Sequence, residues 1–493
     1  MNSNAPLLIT FTAYLLLVLF LGLLAYRRTH NLGDYILGGR KLGPVVTALS
    51  VGASDMSGWL LLGLPGAIYL SGLSELWIGI GLVTGAYLNW FFVSKPLRVY
   101  SESANNSLTL PDYFENRFQD KSRVLRLLSA FVILLFFTFY TASGLVGGAI
   151  LFENSFGLDY TAALLSGAII IVAYTFFGGF LAVAWTDAIQ AILMLLALLL
   201  APISVIIGSG GIDEVTSRMQ AVNPDSTKWF ANMTVIGFVS LMGWGLGYVG
   251  QPHILARFMA VESPQKLGPA RRIAMLWMVI VLFGSVITGL AGIAYFSEQP
   301  LANPETVFIA LSQNLFNPWV AGIITAAILS AIMSTIDSQL LVSSSVISED
   351  FYRVFVKPHA SEKELLLISR LAVVAIAMLA LFIASDRESR VLDLVSYAWA
   401  GFGASFGPVI VFSLFWRNMT ALAAIAGMIS GAITVVVWSN LQGGIFDLYE
   451  ILPGFALASM LIVIISKLRP EQGELALQKF DESRRLLEQL PAE

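Results

Sequence analysis

VTALSVGASDMSGWLLLGLPGAIYL, residues 46–70, is an apolar run that carries a single carboxylate, Asp55, between Gly52 and Gly58. About twenty such residues are enough to cross roughly 30 Å of hydrocarbon. The nearest basic residues in the chain are Lys41 and Lys95, so no sequence neighbour neutralises the charge. An ionisable side chain at membrane depth is costly and marks an ion or substrate path. Ala53, Ser54, Ser57 and Gly58 are small and hold a continuous helix poorly. A helix broken there frees carbonyl and N–H groups that can bind a cation or a carboxylate. For Asp55 alone, a hydrogen bond to a neighbouring helix is the alternative.

The rest of the chain fits a membrane. Of 493 residues 57% are hydrophobic and 12% charged, about half the charge of an ordinary soluble protein. A net charge of −4 offers no basic field to nucleic acid. The absence of cysteine excludes disulfides, thiolate metal sites and cysteine nucleophiles. Thirteen predominantly apolar runs recur, near 7–26, 44–70, 76–94, 127–151, 160–177, 185–208, 230–255, 273–296, 317–343, 366–384, 391–415, 419–438 and 451–466. The fold class expected is therefore an all-α polytopic membrane protein with about 13 transmembrane helices. The first run is not a cleavable signal, because its basic pair, Arg27-Arg28, follows the apolar stretch. With the N-terminus outside, 24 of the 28 Lys and Arg fall in inside loops, and only Arg218, Lys228, Arg387 and Arg390 fall outside. The C-terminus is then cytoplasmic. Residues 467–493 read as a charged, helical, solvated tail, no extramembrane part is large enough for an enzyme, and no phosphate-binding Gly-x-x-x-x-Gly-Lys loop is present to serve ATP-driven pumping.

A second break is expected in Gly243-Trp244-Gly245-Leu246-Gly247-Tyr248-Val249-Gly250-Gln251-Pro252, with four glycines and a proline in ten residues. Close helix packing is the other use of such glycines. The two interrupted runs are five spans apart and so run in opposite directions, each opening a five-helix block, as in inverted-repeat transporters. Ser334 and Thr335 are adjacent hydroxyls one turn after Ala331, giving one helix face two hydroxyl oxygens and a carbonyl. Hard oxygen ligands suit Na⁺ better than a soft metal; bonding back to their own helix is the ordinary alternative for Ser and Thr. Asp187, in the run opening Gly178-Gly179-Phe180, is expected in the first helical turn, either as a cap or on an ion-exit route.

These motifs carry a resemblance. Asp34 to Arg40, Ala53 to Trp59, Leu110 to Phe114, Gly178 to Gln190 and Trp244 to Arg257 resemble the sodium/solute symporter family over nearly the whole chain. The Ser-Asp-Met-Ser-Gly-Trp and Gly-Trp-Gly-Leu-Gly-Tyr runs are similar to those of its proline-transporting members. The resemblance implies a core of two inverted five-helix repeats with broken helices, sodium as coupling ion and L-proline as solute. It also implies a sodium set of Ala53, Met56 and Ala331 backbone oxygens with the Ser334 and Thr335 hydroxyls. Asp55 would serve sodium affinity and Asp187 the release path. Implied substrate contacts are Ser57, Gly58, Trp59, Tyr140, Trp244, Tyr248 and Pro252. Asp337, two residues beyond Thr335, has no assigned role.

The resulting division is residues 1–43 (first helix and loop), 44–208 (first repeat), 209–416 (second repeat), 417–466 (two further helices) and 467–493 (tail). The expected function is sodium-coupled proline uptake across a bacterial cytoplasmic membrane; the alternative is sodium symport of another small amino acid or a carboxylate. A channel or sensor on the same fold is the competitor from another class, and a sensor would need an output domain larger than the tail. A membrane enzyme ranks last, since His30, His253 and His359 form no cluster with a nucleophile. The expected partners are proline, sodium and the bilayer, with no cofactor, nucleic acid or obligate protein partner.

Overall fold

The first apolar run forms α1 (Ala5–Tyr26), and a short α2 (Leu32–Leu37) follows, its Asp34 N–H donating to the Asn31 side chain at 2.8 Å. The computed structural model describes residues 5–26, 31–177, 179–470 and 473–490. Arg27, Arg28, His30 and Gly178 lie outside the described residues. α3 (Pro44–Asp55) starts on a proline at its first position, where the missing N–H has no helical partner to lose. It stops at Asp55, where the run of small residues leads one to expect a break. Met56 leaves the helix at φ −82° and ψ 72°, the Ser57 N–H donates to the Asp55 carbonyl at 3.0 Å, and a wide turn over Trp59–Gly63 leads into α4 (Leu64–Ser71).

α5 (Leu76–Leu88), α6 (Ser94–Ser103) and the short α7 (Leu110–Phe118) precede the 33-residue α8 (Val124–Phe156), then α9 (Tyr160–Phe177) and α10 (Phe180–Gly208). α11 (Ile212–Val222) lies in the connection to α12 (Val235–Gly243). The second break is a tight 3₁₀ stretch, Trp244–Gly250, which ends before α13 (Pro252–Ala260). A methyl group on Gly247 would sit 1.9 Å from the Trp399 indole nitrogen, and one on Gly245 would sit 2.3 Å from the Gly81 carbonyl. The glycines therefore both unwind this helix and let its backbone approach its neighbours. α14 (Leu267–Tyr295), α15 (Val307–Leu315), α16 (Pro318–Ser345), α17 (Glu362–Ala384) and α18 (Val391–Phe415) follow, then α19 (Ala421–Trp438), α20 (Ile451–Leu468) and α21 (Glu474–Glu488).

Among the described residues there is no strand beyond one isolated bridge between Leu42 and Val261, and ten helices are long and apolar enough to cross a membrane. That count differs from thirteen because Trp59–Ser103 runs on as one helical stretch, and because Tyr160–Ala173 and Val235–Gly250 are apolar but short. α16 is buried on all sides of its middle, polar residues included, and forms the axis of the bundle. Outer helices show large apolar side chains such as Phe382 (81% exposed) and Ile433 (57%). Such surfaces are stable against lipid tails and aggregate in water.

The tail differs from the solvated end expected. α21 packs beneath α6 and α7, with Phe480 4% exposed under the Arg117 guanidinium, 4.7 Å from its ring centroid. Ser103 and Ser483 hydroxyls meet at 2.6 Å, and Arg417 grips Asp481 with two bonds of 2.8 Å. Ala476, Phe480 and Ser483 repeat at helical spacing and supply the buried face.

Candidate transport site

The break after α3 removes the helical partner of the Ala53 carbonyl, because the Ser57 N–H has turned to Asp55. Two α16 hydroxyls occupy that carbonyl: Ser334 Oγ donates at 2.7 Å and Thr335 Oγ1 lies at 3.4 Å. The same hydroxyls lie 3.0 and 3.3 Å from the Ala331 carbonyl. Four of the five oxygens expected in the sodium set are thus in mutual reach, and Met56, the fifth, is fully buried at the break itself. Each hydroxyl has two lone pairs to offer, so neutral hard oxygens converge at one point, a donor set that fits Na⁺.

Asp55 is 2% exposed and joins the two breaks. One of its carboxylate oxygens accepts from the Tyr248 hydroxyl, and the other has no partner among the described residues. Its backbone carbonyl faces the Trp59 indole N–H at 3.3 Å and the Tyr140 hydroxyl at 3.5 Å. The Trp59 and Trp244 rings are 6.4 Å apart, and the Ser57 hydroxyl accepts from the Trp59 N–H at 3.3 Å. Trp59, Tyr140, Tyr248 and Ser57 therefore gather at Asp55, with Trp244 alongside. Gly58 faces α16 instead, where an added methyl would lie 3.1 Å from Ile332. Pro252 opens α13 and lines a separate cavity of about 20 Å³ with Pro111, Ala256 and Leu341.

Asp187 is not in a first turn. Gly179 ends the connection in extended backbone, α10 begins at Phe180, and Asp187 lies two turns inside the helix, fully buried. The capping role falls for that reason. One of its oxygens accepts from Arg257 at 2.8 Å and from the Ser50 hydroxyl at 2.6 Å. Arg257 also donates to the Ser50 and Ser338 hydroxyls at 2.6 Å each. By sequence Arg257 counts among the inside-loop charges, but the last turn of α13 folds inward and leaves it 1% exposed. A buried ion pair of this kind links α3, α10, α13 and α16.

Asp337 is fully buried and accepts from the Thr175 hydroxyl of α9; its other oxygen has no partner among the described residues. Two residues along a helix are about 200° apart, which is why Asp337 faces α9 while Thr335 faces α3. Sequence reasoning missed Trp399, whose ring stands edge-on to Tyr248 at 5.0 Å and whose indole donates to the Trp244 carbonyl at 2.7 Å. A signal existed in the small neighbours Ala398, Ala400, Gly401 and Gly403, which mark close packing on α18. Tyr449, Ser50 and Arg257 were missed as well. A cavity of about 640 Å³ lies apart from these groups, among Glu153, Asn154, Glu305 and Arg387.

An all-α membrane bundle in which two interrupted helices meet over one carboxylate, beside converging neutral oxygens, has the construction of a cation-coupled secondary transporter. The sequence profile of the Sodium:solute symporter family matches residues 35–431, and the chain belongs to that family. It is 55% identical over 474 residues to the sodium/proline symporter of Salmonella typhimurium, covering 95% of this chain and 94% of that one. To the sodium/proline symporter of Escherichia coli it is 53% identical over 489 residues, covering 98% and 97%. Its fold matches a solved Na⁺-coupled sialic acid symporter in a substrate-bound outward-open state with a TM-score of 0.82 at 19% identity, covering 96% of this chain and 100% of that one.

Proposed function

We propose that the protein takes up L-proline together with Na⁺ by alternating access. The observation that carries this reading is the Ser334 hydroxyl on the Ala53 carbonyl at 2.7 Å, beside an aromatic enclosure built around Asp55. The Ala53, Met56 and Ala331 carbonyls and the Ser334 and Thr335 hydroxyls hold the ion, and the nearby Asp55 charge offsets it. Proline brings a carboxylate that suits the N–H groups of a half-helix. Its two ammonium hydrogens need carbonyl or hydroxyl acceptors, and its ring packs on the faces of Trp59, Trp244, Tyr140 and Tyr248. Ser57 borders the chamber at the first break, whereas Gly58 packs against α16 and Pro252 lines the separate small cavity, so neither touches the solute in this conformation. The Asp187–Arg257 pair stands on the release path, and its rearrangement lets the ion leave.

Near full-length identity to relatives named for sodium and proline supports the choice of solute. The membrane is the cytoplasmic membrane of a bacterium, crossed thirteen times with the N-terminus outside and the C-terminus inside. The repeats occupy 44–208 and 209–416, flanked by 1–43, 417–466 and the 467–493 tail. Because proline is zwitterionic, one Na⁺ moves one charge, worth about 2.3 kcal/mol per 100 mV. That is about fiftyfold accumulation before the sodium gradient is added.

Labelled proline uptake into proteoliposomes, with and without an imposed sodium gradient, tests the proposal. Uptake that collapses without the gradient and is displaced by unlabelled proline ahead of other amino acids and carboxylates is the expected result. Equal uptake in sodium-free medium overturns it.

A further inference from the structure

The ring of Trp244 has a neighbour on each of two elements. One is Trp59 of the first break, and the other is Tyr449, in the connection between α19 and α20, stacked at 5.3 Å with 26° between the planes. That spacing leaves no room for a solute between the two rings. Three hydrogen bonds hold the connection in place. The Tyr449 hydroxyl donates to the Ser396 carbonyl of α18 at 2.7 Å, the Tyr449 N–H donates to the Ser240 hydroxyl of α12 at 3.0 Å, and the Trp438 indole donates to the Leu448 carbonyl at 2.8 Å. A cavity of about 310 Å³, lined by Trp244, Ser240, Ser396, Tyr449 and Glu450, abuts this stack. It lies at the first-turn end of α18, opposite the end where Arg417 holds the tail.

We propose that Tyr449 is the lid residue of the substrate chamber: its ring closes Trp244 over the chamber and governs how readily proline passes between the chamber and this cavity. The proposal rests on the reading of the aromatic enclosure as the proline site. Tyr449 is a positioning residue, acting through Trp244, and it comes from outside the ten helices that the family resemblance assigns to the core. Burial holds its hydroxyl pKa well above the ordinary tyrosine value, so the phenol stays a neutral donor to Ser396 throughout the working range.

The chain has no cysteine, so one introduced thiol reports on access without background. In whole cells, the rate at which a membrane-impermeant thiosulfonate modifies Ser57→Cys is measured in sodium, with Tyr449, Tyr449→Phe or Tyr449→Ala. Losing the stacked ring speeds modification about tenfold in Tyr449→Ala, while Tyr449→Phe keeps the ring and stays within about threefold. Proline slows modification in all three. Tyr449→Ala also raises the proline KM and leaves the sodium half-saturation at saturating proline unchanged, which a general loss of structure would not do. An unchanged modification rate in Tyr449→Ala, with proline still protecting, overturns the lid. Failure of proline to protect Ser57→Cys in a parent that still takes up labelled proline removes the chamber reading, and the lid with it. Should Tyr449→Ala fail to insert, Ser240→Ala frees only the connection's N–H anchor; about threefold faster modification supports the lid, and an unchanged rate overturns it.

Discussion

Asp55 and the Ser334–Thr335 pair differ in what their removal should change. The hydroxyls meet carbonyls in a set of hard oxygens, and a methyl cannot replace a lost oxygen ligand. Ser334→Ala with Thr335→Ala is expected to raise the sodium concentration for half-maximal proline uptake at least about tenfold, the loss typical of even outer-shell partners. Proline recognition at saturating sodium should change much less; an unaltered sodium dependence would count against this ion site. Asp55 is bonded to Tyr248 through one oxygen only, so its charge remains available to a nearby cation. Asp55→Asn keeps the shape, removes the charge, and should nearly abolish uptake, whereas Asp55→Glu should retain part of it with weaker sodium affinity. Normal transport by a correctly inserted Asn variant would make Asp55 structural. Asp337 stays on the α9 side of its helix with Thr175, away from these oxygens.

At the scale of elements, two contacts hold helices together in different ways. The Asp187–Arg257 pair is fully buried and joins four helices through Ser50 and Ser338. Deleting one partner leaves the other charge buried and uncompensated, at about 3–5 kcal/mol. Asp187→Asn should therefore lower the thermal unfolding midpoint of the purified protein, and replacing Arg257 by Met together with Asp187 by Leu should recover part of the loss. A double variant no better than the singles would argue against the pair. α21, by contrast, is held at its edge by an exposed pair, and the Arg417 guanidinium holds the Asp481 carboxyl below the usual carboxylate range. A carboxylate with a depressed folded pKa contributes stability above its unfolded value, and that contribution is lost as pH falls through the folded one. Protection of α21 from protease should persist at neutral pH and weaken below about pH 4. Phe480→Ala, which empties the apolar seat, should expose the helix at every pH.

For the whole molecule, the proposed ion and solute sites share the first broken helix, Ala53 on one side of the break and Trp59 on the other, so a conformation that completes one favours the other. Sodium and proline should tighten each other's binding by one and the same factor. Proline affinity measured at several sodium concentrations, with the reciprocal titration, checks this, and sodium-independent proline affinity would favour a uniporter. The membrane class, both helix breaks and the Ser334–Thr335 hydroxyl pair were legible in the chain, because each depends on local chemistry. Hydropathy needs about twenty neighbouring residues, a break needs a few glycines or a proline, and two adjacent hydroxyls are visible in the sequence itself. Only the tertiary structure decided that Arg257 turns inward to Asp187, 70 positions away, that Trp399 caps a break 155 positions earlier, and that Asp481 finds Arg417. Those outcomes depend on how each helix is rotated and where it starts. A start at Phe180 rather than near Trp185 was enough to carry Asp187 from a solvated first turn to the middle of the bundle.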